Sequence, residues 1–161
     1  MNILWLNYII HDTRKMADHR DVFLGGTCGD SKWRDTLIAK LNGVTYFNPV
    51  KPPGTWTRED EELENKYKKT CEYMLFIITP EMQGYYSIAE VVESSFKKPG
   101  RTIFCALDTD NEKSFSDVQN KSLRATERLL QRNKAIVKRS LDEVANFLNQ
   151  KHKSGKSCII C

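Results

Sequence analysis

The sequence lacks the run of roughly eighteen apolar residues that a membrane-spanning helix needs. Its opening segment, residues 1–10, is apolar but short, has no basic residue before it and is followed by no small-residue cleavage site. We therefore expect an extra strand or a packed arm within residues 1–20, and no insertion into a membrane.

Histidine is scarce, and cysteine occurs without paired spacing. His11, His19 and His152 stand at no metal-ligand spacing, which disfavours a zinc site. Five scattered cysteines, an odd number, fit a reducing compartment better than a disulfide framework. We expect a cytoplasmic protein that holds no metal and no cofactor.

Charge of one sign never dominates the chain. The net charge is +4, with basic residues concentrated from Lys121 to Lys156 and an acidic stretch, E-D-E-E-L-E, at residues 59–64. This asymmetry is too mild to indicate a nucleic-acid partner, and a solvated helix face explains the basic stretch. A length of 161 residues suits one domain.

Strands and helices alternate along the chain. Five of each predict a parallel sheet with helices on both faces, in one Rossmann-like or flavodoxin-like α/β domain over residues 21–150, followed by a basic tail at 151–161. The strands are predicted in V-F-L-G-G, V-T-Y-F-N-P, residues 73–79, T-I-F-C-A-L and K-A-I-V, and the helices after Ser31, Thr57, Ser87, Ser116 and Ser140.

Three loops should converge at the carboxyl edge of this sheet, where ligands bind in open α/β folds. They are residues 25–34, 48–56 and 80–87. Glycines in the first loop let a backbone approach a ligand, although their spacing fits neither phosphate-binding motif and also suits a plain tight turn. Flat rings in these loops suit a nucleobase, with a core role as the alternative for Trp33; the rings are Trp33, Trp56, Tyr85 and Tyr86.

Glu90 is the one acid in S-I-A-E-V-V, near the start of the helix that follows a buried strand. A carboxylate at this edge is a candidate nucleophile or general base. Two carboxylates can divide a glycosidic substitution between them, and the acidic helix offers a second one. The candidates are Glu61, Glu62 and Glu64, for which a solvated first turn is the alternative.

Several motifs occur in an order that resembles the nucleoside 2-deoxyribosyltransferase-like family. From Val22 to Leu107 they are F-L-G-G-T, W-R, Y-F-N-P-V, C-E-Y-M-L-F-I-I-T-P-E-M and G-Y-Y-S-I-A-E-V-V. The resemblance implies chemistry at the N-glycosidic bond of a 2′-deoxynucleoside or its monophosphate, as well as a homo-oligomer.

The resemblance also implies residue roles. Glu90 matches the glutamate that attacks C1′ to form a covalent glycosyl-enzyme, which another base or water then resolves. Glu64 matches an upstream acid that orients the sugar or manages the proton of the base. The substrate contacts are expected at Gly25, Gly26, Thr27, Asp30, Trp33, Arg34, Asn48, Trp56, Tyr86 and Ser87.

Two departures from the family pattern keep other functions open. Gly84 stands six places before Glu90, where the family has an acid, and the Gly25-Gly26-Thr27 turn replaces a tyrosine. Gly84 favours a nucleotide-binding module without turnover, and an N-glycosidase for a ribosylated nucleotide fits the same carboxylates. Near the end, Cys158 in C-I-I-C resembles a prenylation signal, with a ragged basic tail as the alternative.

Overall fold

The computed structural model describes residues 20–157, which form a parallel sheet with the strand order β2-β1-β3-β4-β7 and a separate two-stranded hairpin, β5–β6. This is the flavodoxin-like order, so the predicted α/β fold is confirmed. The strands are β1 (Val22–Gly26), β2 (Tyr46–Phe47), β3 (Tyr73–Ile78), β4 (Thr102–Ala106), β5 (Thr109–Asp110), β6 (Lys113–Ser114) and β7 (Ile136–Lys138).

Within residues 20–157, five helices cover the two faces of the sheet: α1 (Trp33–Ile38), α2 (Arg58–Thr70), α3 (Tyr86–Lys97), α4 (Asp117–Arg132) and α5 (Leu141–Ser157). Successive residues of a strand point to opposite faces. Leu24 and Leu75 accordingly pack in the cluster that contains α1 and α5 residues, whereas Phe23 and Phe76 pack in the cluster with residues of α2, α3 and α4. The central strands are therefore buried on both sides, as their continuous apolar runs predict.

Two helices begin with complete capping boxes, one of them at the predicted cap Thr57. Thr57 with Asp60 begins α2, and Ser116 with Gln119 begins α4. Each pair satisfies backbone N–H groups that a helix start leaves without partners. Ser140 also accepts the N–H of Glu143, at 3.2 Å.

The predicted caps Ser31 and Ser87 are wrong. α1 begins two residues after Ser31, whose hydroxyl instead donates to the carboxylate of Asp110. α3 begins at Tyr86, after Tyr85 with no side-chain cap, so Ser87 lies inside its first turn. Ser31 binds Asp110 from a distant segment and therefore does not cap α1. α3 begins one residue before Ser87, at Tyr86.

The β5–β6 hairpin is not among the predicted elements. Its two-residue turn, Asn111-Glu112, has positive φ at both positions (47° and 64°), the arrangement for which Asn-Gly is the usual sequence signal. Because Glu112 stands where glycine is usual, the sequence does not indicate this turn. The hairpin holds two loops on the ligand side, because Asn111 donates to the carbonyl of Asp30 at 3.3 Å and Lys113 pairs with Glu81 at 2.7 Å.

Two expectations fall wholly or mostly outside the described residues, namely the arm or extra strand at residues 1–20 and modification of Cys158. α5 continues through Ser157, into the segment expected as a basic tail. Across residues 20–157, no helix is both long enough and apolar enough to cross a membrane.

Candidate functional site

A cleft of about 920 Å³ opens at the carboxyl edge of the sheet. Its walls come from the loops after β1 and β2 and from helices α2 and α3. This volume lies in the range of roughly 300–1,000 Å³ that is common for small-molecule sites. The lining residues are Phe23, Gly25, Gly26, Cys28, Gly29, Asp30, Arg34, Pro49, Val50, Lys51, Pro52, Pro53, Trp56, Glu64, Tyr86, Ser87 and Glu90.

Glu64 and Glu90 meet in this cleft through a shared lysine. The Lys68 ammonium lies 2.5 Å from Glu64 Oε1 and also contacts Glu90 Oε1. Glu64 and Lys68 stand one turn apart on α2, whereas Glu90 reaches them from α3. The exposed fractions of the three side chains are only 18%, 24% and 16% for Glu64, Lys68 and Glu90. The two acids thus share a partly buried site.

The electrostatics of Lys68 reflect this position. Desolvation by burial lowers its pKa, but hydrogen bonds and charge attraction from Glu64 and Glu90 oppose burial and leave the pKa raised. Its ammonium also lies 5.6 Å from the centre of the Phe23 ring, a cation–π distance. Lys68 is therefore a charged group at the pH of a cell.

The two carboxylates are close enough to act on one sugar. Since each contact to the ammonium is no longer than 2.5 Å, the two contacting oxygens are at most about 5 Å apart. Retaining glycosidases hold their carboxyl groups roughly 5–5.5 Å apart, and inverting ones hold them roughly 6.5–9.5 Å apart to admit a water. The contacting oxygens here are therefore closer than the inverting spacing and lie at or below the retaining one.

Arg34 binds the carbonyl groups at the end of β1 and in the loop that follows it. Its side chain is buried and donates to the carbonyls of Thr27 (2.6 Å), Leu24 (3.2 Å) and Gly26 (3.4 Å), with Cys28 Sγ at 3.8 Å. Desolvation by burial lowers its pKa, an effect that the charge and hydrogen bond of Cys28 oppose. Because carbonyl oxygens satisfy the guanidinium, the loop curls around it and turns toward the cleft.

Gly26 lets this loop pass close to β3. Its φ is +116°, and a Cβ there would lie 2.0 Å from the carbonyl oxygen of Ile77. Thr27 binds β3 and the residue that follows it. Its N–H donates to Ile77 O at 2.8 Å, and its Oγ1 accepts from Thr79 N–H at 2.9 Å. The cleft wall at this point is the backbone of Gly25 and Gly26.

Nine of the twelve predicted site residues line the cleft: Glu64, Glu90, Gly25, Gly26, Asp30, Arg34, Trp56, Tyr86 and Ser87. Trp56 and Tyr86 keep exposed fractions of 48% and 75%, so their rings are available to a ligand.

Thr27, Trp33 and Asn48 do not line the cleft. Trp33 is in the core and donates from Nε1 to Thr27 O at 2.8 Å, whereas Asn48 Oδ1 accepts from Val50 N–H at 3.1 Å within its own loop. Thr27 lines a smaller neighbouring cavity of about 230 Å³, together with Glu81, Gly84 and Ser87.

Sequence reasoning missed Lys68 and Glu81. The spacing of Glu64 and Lys68, four residues apart with the acid first, is a known signal for a helical ion pair and could have indicated the lysine. No local pattern indicates Glu81, whose carboxylate is buried beside the cleft and pairs with the distant Lys113.

The chain was compared with known proteins. A family model described as nucleoside 2-deoxyribosyltransferase like matches residues 19–109, more than half of the chain. Comparison with curated proteins and with solved structures gave no significant match. The matched residues contain β1 to β4 and the two glutamates of the cleft, in the order that the motifs predicted. The chain therefore belongs to the nucleoside 2-deoxyribosyltransferase-like family.

Proposed function

We propose that this protein cleaves the N-glycosidic bond of a 2′-deoxynucleoside or a deoxynucleoside monophosphate and passes the deoxyribosyl group to another base or to water. The observation that supports it most strongly is the pairing of Glu64 and Glu90 in the cleft of a chain of this family. Exposed rings of Trp56 and Tyr86 in the same cleft suit a planar base.

Glu90 is the proposed nucleophile. Its carboxylate oxygen forms a bond to C1′ while the bond from C1′ to the base nitrogen breaks, and the electron pair of that bond leaves with the base. Water or an acceptor base then attacks C1′ and releases Glu90 as a carboxylate. Two displacements at C1′ retain its configuration, in accord with the short separation of the two acids.

The test compares Glu90→Gln with Glu93→Gln. Both residues are glutamates paired with a lysine and lie on α3, but Glu93 is 65% exposed and bonds to Lys97 outside the cleft. We expect Glu90→Gln to lose at least about a thousandfold in base release, because it removes the nucleophile. Glu93→Gln should release bases from a deoxynucleoside and monophosphate panel at the wild-type rate, as read by chromatography.

A 2-fluoro sugar analogue separates covalent from direct displacement. A glycosyl adduct on the peptide that contains Glu90, detected by mass spectrometry, supports the covalent route. Full activity of Glu90→Gln would contradict the proposal.

A nucleotide-binding module without turnover is the second candidate, and Gly84 favours it, since this position brings no acid to the cavity beside the cleft. Nucleotide binding by calorimetry with no base released over hours would decide for this candidate. An N-glycosidase for a ribosylated nucleotide uses the same acids, and preference for ribo over deoxyribo substrates identifies it.

We also propose a cytoplasmic homo-oligomer. The described cysteines Cys28, Cys71 and Cys105 are free thiols, in keeping with a reducing compartment.

An apolar groove of about 740 Å³ between α3 and α4, with Tyr85 and Val118 on its rim, offers a surface for a second copy. Light scattering of the wild type and of Val118→Lys tests this, since a charge on the rim should favour the monomer.

A further inference from the structure

Lys68 supplies a positive charge to both Glu64 and Glu90. Among the described residues, Lys68 is the cation whose ammonium contacts both Glu64 and Glu90. The other basic side chains of the cleft are engaged elsewhere: Arg34 with loop carbonyls and Lys51 with Asp60 at 3.0 Å. The charge balance of the acid pair therefore depends on Lys68.

Two carboxylates at most about 5 Å apart in a partly buried site repel each other, and a cation between them offsets that repulsion. The remaining ionisable groups that line the cleft are Asp30, Cys28 and Tyr86, none of which supplies a positive charge. An ammonium between the acids removes the repulsion and fixes one oxygen of each. Both acids can then be ionised together.

This arrangement changes during the proposed reaction. Once Glu90 forms its bond to C1′, it is a neutral ester and no longer attracts the ammonium. Lys68 is left with Glu64 alone, to which it is already bound along α2. Glu64 thus stays a carboxylate in the glycosyl-enzyme, where it can accept a proton but has none to give.

Building on the proposed function, we propose that Lys68 is a positioning residue that keeps Glu64 and Glu90 ionised together and so makes Glu64 a proton acceptor. In the first step the departing base takes its proton from solvent. In the second step the oxygen of water, or the nitrogen of an acceptor base, bonds to C1′ while the bond from C1′ to Glu90 breaks and Glu90 leaves as a carboxylate. The acceptor gives its proton to Glu64, which then returns it to solvent.

The experiment compares three variants. Lys68→Met removes the charge and keeps the length, Lys68→Arg keeps the charge, and Lys97→Met removes another lysine that pairs with a glutamate four residues before it, at an exposed position on α3. The measurements are the pH profile of kcat/KM and a carbon-13 titration of the glutamate carboxyl groups, assigned through Glu64→Gln and Glu90→Gln.

In Lys68→Met, we expect proton uptake by the acid pair and the acid limb of the pH profile to move upward by about one to two pH units. Lys68→Arg should return both curves toward those of the wild type, and Lys97→Met should leave both unchanged. A purely structural role for Lys68 would change stability or KM without moving either curve.

Unchanged titration of the acid pair in Lys68→Met overturns the inference, whatever the activity. If Lys68→Met does not fold, the wild type alone decides, because a proton shared by Glu64 and Glu90 at about pH 7 is incompatible with the role of Lys68. Absence of turnover with every substrate refutes the proposed function instead, and the carbon-13 titration distinguishes the two failures.

Discussion

Gly26→Ala should damage the fold far more than its size suggests. The added Cβ would lie 2.0 Å from Ile77 O and 2.6 Å from Ile77 N, both backbone atoms of β3 that cannot rotate away. The backbone φ of +116° costs a non-glycine residue roughly 1–3 kcal/mol in addition. Separating the strands to relieve the contact would weaken the 2.8 Å hydrogen bond from Thr27 N–H to Ile77 O, worth about 1 kcal/mol.

Overpacking by the added Cβ costs about 1–3 kcal/mol. With the φ cost and the weakened bond, the total loss is about 3–7 kcal/mol, against a stability of about 5–15 kcal/mol for a typical domain. We expect the midpoint of thermal unfolding, followed by circular dichroism, to fall by roughly 10–20 °C, or the protein not to fold. Gly29→Ala is the matched control. Its φ is also positive, at +77°, but its Cβ would meet no atom within 4 Å, so only about 1 kcal/mol should be lost. Equal midpoints for the two variants would refute this reasoning.

Three further predictions concern the cleft and the core. Arg34→Met should lower the free energy of unfolding in urea by about 2–4 kcal/mol, because the loop carbonyls lose their donor; a loss below about 0.5 kcal/mol would contradict this. Gly84→Asp should fold normally, since a Cβ there meets no atom within 4 Å, and should raise deoxynucleoside turnover at least about tenfold by supplying the family's acid; unchanged turnover would argue that this acid is dispensable. Burial raises the pKa of Cys71 and Cys105 from 9.0 to about 12, so both thiols bind protons more tightly in the folded state. Stability should therefore fall as pH rises from about 9 to 12, less steeply in Cys105→Ala, and iodoacetamide should label Cys28 before either buried thiol.

The sheet could be predicted because its signals are local. The apolar run of β3 is buried at every position, and Thr57 and Ser116 cap their helices through residues three places away. Such signals depend on chain neighbours alone and do not change when the tertiary structure forms. The predicted strand order required the right-handed crossover rule in addition, and the predicted family depended on the order of the motifs.

The cleft was predicted in part, because its chemistry depends on contacts between distant segments. Glu64 and Glu90 were expected to work together, but the lysine that joins them acts across two helices. Trp33 was predicted to contact the substrate because it follows β1 on the ligand side. Trp33 and Leu37 are four residues apart on α1, however, and both lie on the face that packs in the core. Glu81 pairs with Lys113, which belongs to a hairpin whose turn lacks glycine.

Helix α3 has a different environment on each of its two sides. Tyr86, Ser87 and Glu90 face the cleft, whereas Ile88 and Val92 line the apolar groove against α4. Because both sets of side chains share one helical backbone, any shift of α3 that starts on the groove side would also move Glu90, the proposed nucleophile.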